Sequence, residues 1–563
     1  MIIKNIAMIP CQEKKIFGIL IPVLFVPFLL FSQSRNERVT IVGSYQPTVK
    51  EASKINFNPA EPESKLHSVD FDFTDPGYRL SLAIEPPLLA YLQAKTDEKT
   101  VTYRNYLKAA LGTNLSPVFM FRHHSALSKK TSFDLGLNHE SSWTNIKDFS
   151  NSTWMQNNAA ATLVTEISDY IWQNSVEYRH NWLHYYGFKS GEFADSLYTK
   201  DELTQHYQRI HLATDLKSNY KNSKRLNHQF GIAYNQFADR YQNTENLVRF
   251  KAGLNKTYDW FNIDGEQVIL LDANFNFLSA TDSLNGIRGL YGEINPKLQL
   301  NGSFYALEAG LLFGFGNDTA AFFHLHPQLS GKLFVFDSKV EIYAGFEGMR
   351  HLNTLESITR NNPFVKPGQD RWWTNTTHDF KAGIKTGAIP NTDLHLGIQY
   401  RQIEHGGFFV TDTTSLLKNQ MTVLWDDYKL LSFIAQASFH HKNKLVSSLL
   451  FQYNQYTMKQ LEKPWHMPEI EAGYSFAWQY NDSWNFNAGL IVWAERFAPA
   501  IQPSDDFLRL RPAIDLNLKT SYQISRQFGI FAQLSNVFNN RYERYHNYPV
   551  QGAQLFAGMS LQF

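Results

Sequence analysis

Two histidines one residue apart, His324 and His326, are the first residues in this chain whose type and spacing suit chemistry. In a strand, alternate residues share a face, so the two imidazoles would point the same way with Phe323 and Leu325 opposite, an arrangement that could pair them on a metal. Two polar residues on a wet face need no ligand, and that is the plainer reading. Asp426 and Asp427 are a second candidate, as a cation site or an acid and base pair. Neighbouring strand residues face opposite sides, so the two carboxylates are poorly placed to act together, and a solvated rim explains them better. Arg371, Trp372 and Trp373 are a third: aromatic rings in a long loop could stack on a sugar or an apolar ligand, or could simply pack the loop or sit in a membrane girdle. Phosphate-binding glycine loops, H-E-x-x-H and G-x-S-x-G are all missing from the sequence, so neither enzymatic activity nor a cofactor is expected.

The elements that would carry these residues are strands. At the C-terminal end, Ala553, Leu555, Ala557, Met559, Leu561 and Phe563 fall on one face, and Gln554, Gly558, Ser560 and Gln562 on the other. Phe556 breaks the pattern. The same half-apolar alternation recurs in Ile470, Ala472, Tyr474, Phe476 and Trp478, in Trp484, Phe486, Ala488, Leu490 and Val492, and in Ile514, Leu516, Leu518 and Tyr522. Short turns are expected near residues 128, 168, 222, 262, 302, 337, 391, 442, 482 and 526, with several of the intervening connections long, as at 185–205, 354–376 and 496–511. Alternating short turns and long loops describe an outer-membrane β-barrel. The short turns, with a first strand near 103–111 and the closing strand, predict an all-β transmembrane antiparallel barrel of about 22 strands over residues 103–563. An even count would put both termini in the periplasm.

Composition agrees with a wall between lipid and water. Aromatic residues make up 15% of the chain, yet the mean hydropathy is −0.35, as expected for aromatic girdles around a polar lumen. A net charge of +1 argues against a general nucleic-acid binder. Lys14 and Lys15 precede an apolar run at 16–31, and Ser32, Gln33 and Ser34 then suit cleavage before Arg35, so residues 1–34 read as a signal peptide. The one cysteine, Cys11, lies before that run, which leaves the mature chain without thiol chemistry. Residues 35–102, rich in Pro, Glu, Asp and Ser, read as an extended periplasmic arm.

The segment LSNVFNNRYERYHNYPVQGAQLFAGMSLQF, residues 534–563, resembles the end of TonB-dependent receptors through Asn536, Phe538, Asn539, Tyr542, Tyr548, Pro549 and Gly552. VTIVGSYQPTVKEASKINFNP, residues 39–59, is similar to the opening of receptor plugs. YRNYLKAALGTNLSP and HNWLHYYGF fit the TonB-dependent receptor-like outer-membrane proteins of Bacteroidetes. The resemblance implies passage of a solute across the outer membrane, contact with membrane lipid, and an arm whose Val39, Thr40, Ile41, Val42, Gly43 and Ser44 couple to TonB or another periplasmic protein. It also implies that Phe563 closes the barrel. The arm is about half of what a full plug needs, so a shortened or absent plug is expected, and inward loops, the arm or another protein must obstruct so wide a lumen. The alternative is an assembly barrel that anchors a periplasmic or surface complex.

Overall fold

The computed structural model describes residues 103–563 apart from 221–223, 262, 264, 282–285, 318–320, 370–372, 443 and 501–506. The segments read as a signal peptide and an arm, with Val39–Ser44, and Arg371 and Trp372 lie outside the described residues.

Twenty-two antiparallel strands form one closed sheet. Each pairs with its neighbours in sequence, and the first, Asn105–Gly112, pairs with the last, Gln554–Gln562, from Tyr106↔Gln562 to Gly112↔Phe556. The ends of the described chain meet at this seam, where the Phe563 amide donates to the Asn105 carbonyl at 3.0 Å and the Asn105 amide donates to the Phe563 carbonyl at 2.8 Å. Pairing the first strand with the last removes the two free edges of an open sheet, as placing a sheet in hydrocarbon requires.

The closing strand shows why the alternation takes this form. Leu555, Met559, Leu561 and Phe563 are exposed on the outer surface, as are Ala553 and Ala557, whereas Gln554, Gly558, Ser560 and Gln562 turn inward. Phe556, the residue that breaks the pattern, is also inward, and 3% exposed. It lies across the seam from Gly112, where a methyl group would overlap its ring. The absence of a Cβ at Gly112 makes room for an aromatic on the polar face.

Strand pairs are joined at all ten expected places, at the end of the barrel that also holds the described termini, although residues 221–223, 262 and 264 in the connections near 222 and 262 lie outside the described residues. The long connections all leave the other end, at 143–153, 185–203, 353–372, 412–420, 459–469, 495–512 and 536–553. One of them carries an element that the alternation does not foretell, a helix α1 (Leu355–Asn361), capped by Thr354, whose Oγ1 accepts from the Ser357 amide at 3.1 Å. It is too short to give a legible helical period.

Candidate functional site: a mouth closed by loops

The long loops do not stand apart in solvent. Tyr185 and Tyr186 from 185–203, Leu355, Ile358, Phe364 and Val365 from 353–372, and Tyr545 and Tyr548 from 536–553 form one buried core. Ile146, Leu183, Tyr207, Phe237, Met421 and Val423 complete it. These loops leave the wall at well separated points of a closed cylinder, so their packing spans the opening.

The tyrosines supply both apolar surface and hydrogen bonds. Tyr548 stacks on Phe364 with ring centroids 3.8 Å apart and meets Tyr186 edge-on at 4.9 Å. Its hydroxyl donates to the Asn419 carbonyl. A Cβ at Gly187 would come within 2.8 Å of the same ring, so the glycine lets the 185–203 loop pass beneath it. Tyr185 donates to the Val365 carbonyl at 3.0 Å, Tyr186 to the Pro549 carbonyl at 2.9 Å, Tyr207 to the Pro363 carbonyl at 2.9 Å, and Tyr545 to the Asn361 carbonyl at 2.6 Å. Burial raises the Tyr185, Tyr186 and Tyr545 phenols above their ordinary range, so each stays a neutral donor. These bonds end on carbonyls in the loops or at the C-terminal end of α1, which regular pairing leaves unsatisfied, and that is how such backbone is buried without penalty.

The helix is tied to the wall by charge. The Glu245 carboxylate accepts from the Leu355 amide at 2.8 Å, at the helix N-terminus. Glu356 accepts from Asn235 at 2.7 Å and pairs with Arg209 at 2.9 Å, and Arg209 also holds Glu177 at 2.8 Å. Removing one partner of such a half-buried array would strand a charge, a cost of about 3–5 kcal/mol.

The segment that carries the family resemblance builds this mouth. Asn536 Nδ2 donates to the carbonyls of Asn540 and Gln551, each at 2.9 Å, pinning the two ends of its loop together. Asn539 accepts from the Ala553 amide at 3.0 Å, and Tyr542 donates to Asp515 at 3.1 Å. Tyr548 and Pro549 make the contacts above. Phe538 alone of the aromatics in this motif is exposed.

The candidates named from the sequence lie at different places. Asp426 is not on a solvated rim: it is 4% exposed and accepts from the Gln460 amide at 3.0 Å and the Leu461 amide at 2.9 Å, anchoring the 459–469 loop. Alternation gives a strand residue's side but cannot show a loop folding over it. Asp427, beside it, binds Lys459 at 2.8 Å and accepts from the His405 amide at 2.9 Å. Trp373 opens a strand in an inward aromatic group, 4.5 Å from Tyr291 and 5.9 Å from Phe322, with the Arg350 guanidinium 4.9 Å over its ring. His324 and His326 belong to the same region, with ring centroids 4.8 Å apart, while Phe323 and Leu325 face outward. Among the described residues no group of three or more His, Cys, Asp and Glu side chains is placed to hold a metal ion.

His466 had no marker in the sequence, yet it joins three segments. Its Nδ1 donates to the Phe409 carbonyl at 2.9 Å and its Nε2 accepts from the His546 amide at 3.0 Å, which fixes a neutral ring. Burial, helped by the nearby Arg496 and His546, lowers its pKa from 6.5 to about 3. A base with a depressed folded-state pKa contributes fully above its unfolded value and loses that contribution as pH falls below it. Acidification to about pH 5 is therefore expected to weaken the loop assembly by about 2 kcal/mol. Faster hydrogen exchange in 536–553 at that pH, and loss of the pH dependence in His466→Ala, are the measured signs; exchange that ignores pH would contradict the assignment.

No family model matches the chain, and no curated protein matches it. Solved structures share the fold. The siderophore receptor PirA from Acinetobacter baumannii aligns with a TM-score of 0.63 at 10% identity, covering 83% of this chain and 81% of that one. The ferric-catecholate import receptor Fiu from E. coli gives 0.63 at 8% identity, covering 82% of each chain. The FrpB iron transporter from Neisseria meningitidis gives 0.63 at 9% identity, again covering 82% of each. This chain is thus similar in fold to a siderophore receptor, a ferric-catecholate import receptor and an iron transporter.

Proposed function

We propose that this protein is a TonB-dependent receptor-like barrel that takes up or passes a solute across the outer membrane, with no enzymatic step. The closed 22-strand wall carries the reading, because such a cylinder is wide enough for a solute and needs an obstruction, which the loop core supplies at one end. The fold shared with a siderophore receptor and an iron transporter supports the same reading. In it the mature chain begins at Arg35, both termini are periplasmic, and Phe563 completes the closing strand. The 35–102 arm, a shortened plug, meets TonB or another periplasmic protein through Val39–Ser44. Arg371, Trp372 and Trp373 meet the solute where it enters.

Deletion of residues 35–60 tests this directly. Energised uptake should stop while the barrel stays folded, since strands bond one another. Raised conductance in the same variant would make the arm an obstruction instead. Loss of a co-purifying partner, with uptake and conductance unchanged, would favour the assembly barrel, a role that a mouth closed by a buried core also suits. A deletion that unfolds the barrel would contradict all three.

A further inference from the structure

Among the described residues, the ladder between Ala321–Val335 and Val340–Leu352 stops well short of the strand ends. Ala321–Val335 is paired with Tyr305–Asn317 along its whole length, from Tyr305↔Leu333 to Asn317↔Ala321. On its other side the ladder with Val340–Leu352 runs only from Val335↔Val340 to Leu329↔Phe346. Both strands continue beyond that point, and Val340–Leu352 keeps its pairing with Trp373–Ile389 up to Leu352↔Trp373, through a shift between Glu347 and Met349. Residues 321–328 and 347–352 therefore face each other without a ladder. Phe323 and Leu325, exposed on the outer surface, set this gap within the apolar band. Unpaired backbone at that depth is expensive, so an ordinary barrel would have closed it.

Cavities lie on both faces at the foot of the gap. On the outside, a depression of about 550 Å³ is lined by Leu298, Leu307, Leu329, Gly331, Ala344 and Phe380. On the inside, a chamber of about 450 Å³ is lined by Lys297, Lys332, Lys381, Lys385, Glu341 and Glu347. Glu308, Leu329, Ser330, Gly331, Ala344 and Phe346 line both, so a mainly apolar and a charged cavity adjoin beside an unzipped seam. On the luminal side of the gap, His326 is 7% exposed, packed against Gly348, and its Nε2 is buried without a hydrogen-bond partner. Both ring nitrogens of His324 are likewise buried and unpartnered. Buried polar atoms without partners in so specific a place point to a ligand that supplies them.

We propose that the gap is a side site for one amphiphile, whose acyl-type chain lies in the outer depression and whose polar headgroup passes between 321–328 and 347–352 toward His324, His326 and the charged chamber. Each cavity is of ligand size, and the order from outside to inside, apolar then charged, is that of an amphiphile entering from a bilayer. The inference rests on the wall being embedded in a membrane.

The test uses the full chain in vesicles containing a phospholipid with a photoactivatable group in its acyl chain, with peptides mapped after illumination. Labelling of the strands holding Leu298, Leu307 and Leu329 is expected to exceed that of Gln554–Gln562, on another part of the wall, by about tenfold, the ratio that one well-filled apolar contact gives. Ala344→Trp, which fills the depression, should reduce the excess to the level of Gln554–Gln562, and Leu329→Trp should do the same where Ala344→Trp does not fold. A parallel arm adds a photoactivatable fatty acid from solution: preferential labelling by it would make the occupant a free amphiphile and not a bilayer lipid, with the site upheld. Equal labelling of both regions by both probes would mean ordinary boundary lipid only and would overturn the site. Labelling of neither region would remove the membrane reading and the proposal with it.

Discussion

Met559→Arg or Leu561→Arg is expected to destabilise the barrel by about 2–4 kcal/mol where the site lies near the bilayer midplane, while Gln562→Arg should be tolerated. The three residues sit within one strand, and pairing with Asn105–Gly112 fixes their register at Ala109↔Met559, Leu107↔Leu561 and Tyr106↔Gln562. Met559 and Leu561 point outward and Gln562 inward. An outward guanidinium must be drawn from water into hydrocarbon, whereas an inward one joins polar neighbours. Denaturant unfolding in lipid vesicles measures the difference. Equal tolerance at the three positions would mean that the faces are wrongly assigned, or that this surface meets no lipid.

Tyr548→Ala is expected to open the mouth without harming the wall. The ring is 2% exposed, stacked on Phe364 and edge-on to Tyr186, and its hydroxyl holds the Asn419 carbonyl. Deleting a buried aromatic of this kind costs about 3–5 kcal/mol. That cost falls on an assembly of loops, because strand pairing does not pass through the ring. Protease cleavage in 185–203 and 353–366 should therefore rise on intact cells, while the folded barrel's mobility on unheated gels stays unchanged. Loops that remain protected in Tyr548→Ala would contradict a mouth held by this core.

The wall was legible in the sequence because each strand repeats a period of two and each short turn is marked by polar residues, as at Asn481 and Asp482 or Ser525, Arg526 and Gln527. Local signals suffice where partners are neighbours in sequence. The mouth was not legible for the opposite reason. Tyr185 meets Val365 and Tyr548 meets Asn419, contacts between loops that no period relates. Asp426 shows the limit within a single residue: alternation gives it a side, but only the fold of 459–469 turns a rim carboxylate into a buried anchor for two amides. Phe556 shows the converse, since a single break in an alternating pattern became intelligible once Gly112 stood opposite. His324 and His326 share a face as their spacing requires, yet the parting of the strands beside them leaves no trace in spacing or composition.

The most direct measurement is the accessibility of single cysteines from either side of the cell envelope. Thr413→Cys places a thiol on an exposed loop at the mouth, and Arg526→Cys places one in an exposed turn at the opposite end. Only Cys11 competes, and it falls in the segment read as a signal peptide. A membrane-impermeant maleimide added to intact cells should label Thr413→Cys, and should label Arg526→Cys only after the outer membrane is permeabilised, as a barrel that spans it with its loops outward requires. Labelling of Arg526→Cys on intact cells while Thr413→Cys stays silent would invert the barrel, and equal labelling of both before and after permeabilisation would contradict its spanning the membrane at all.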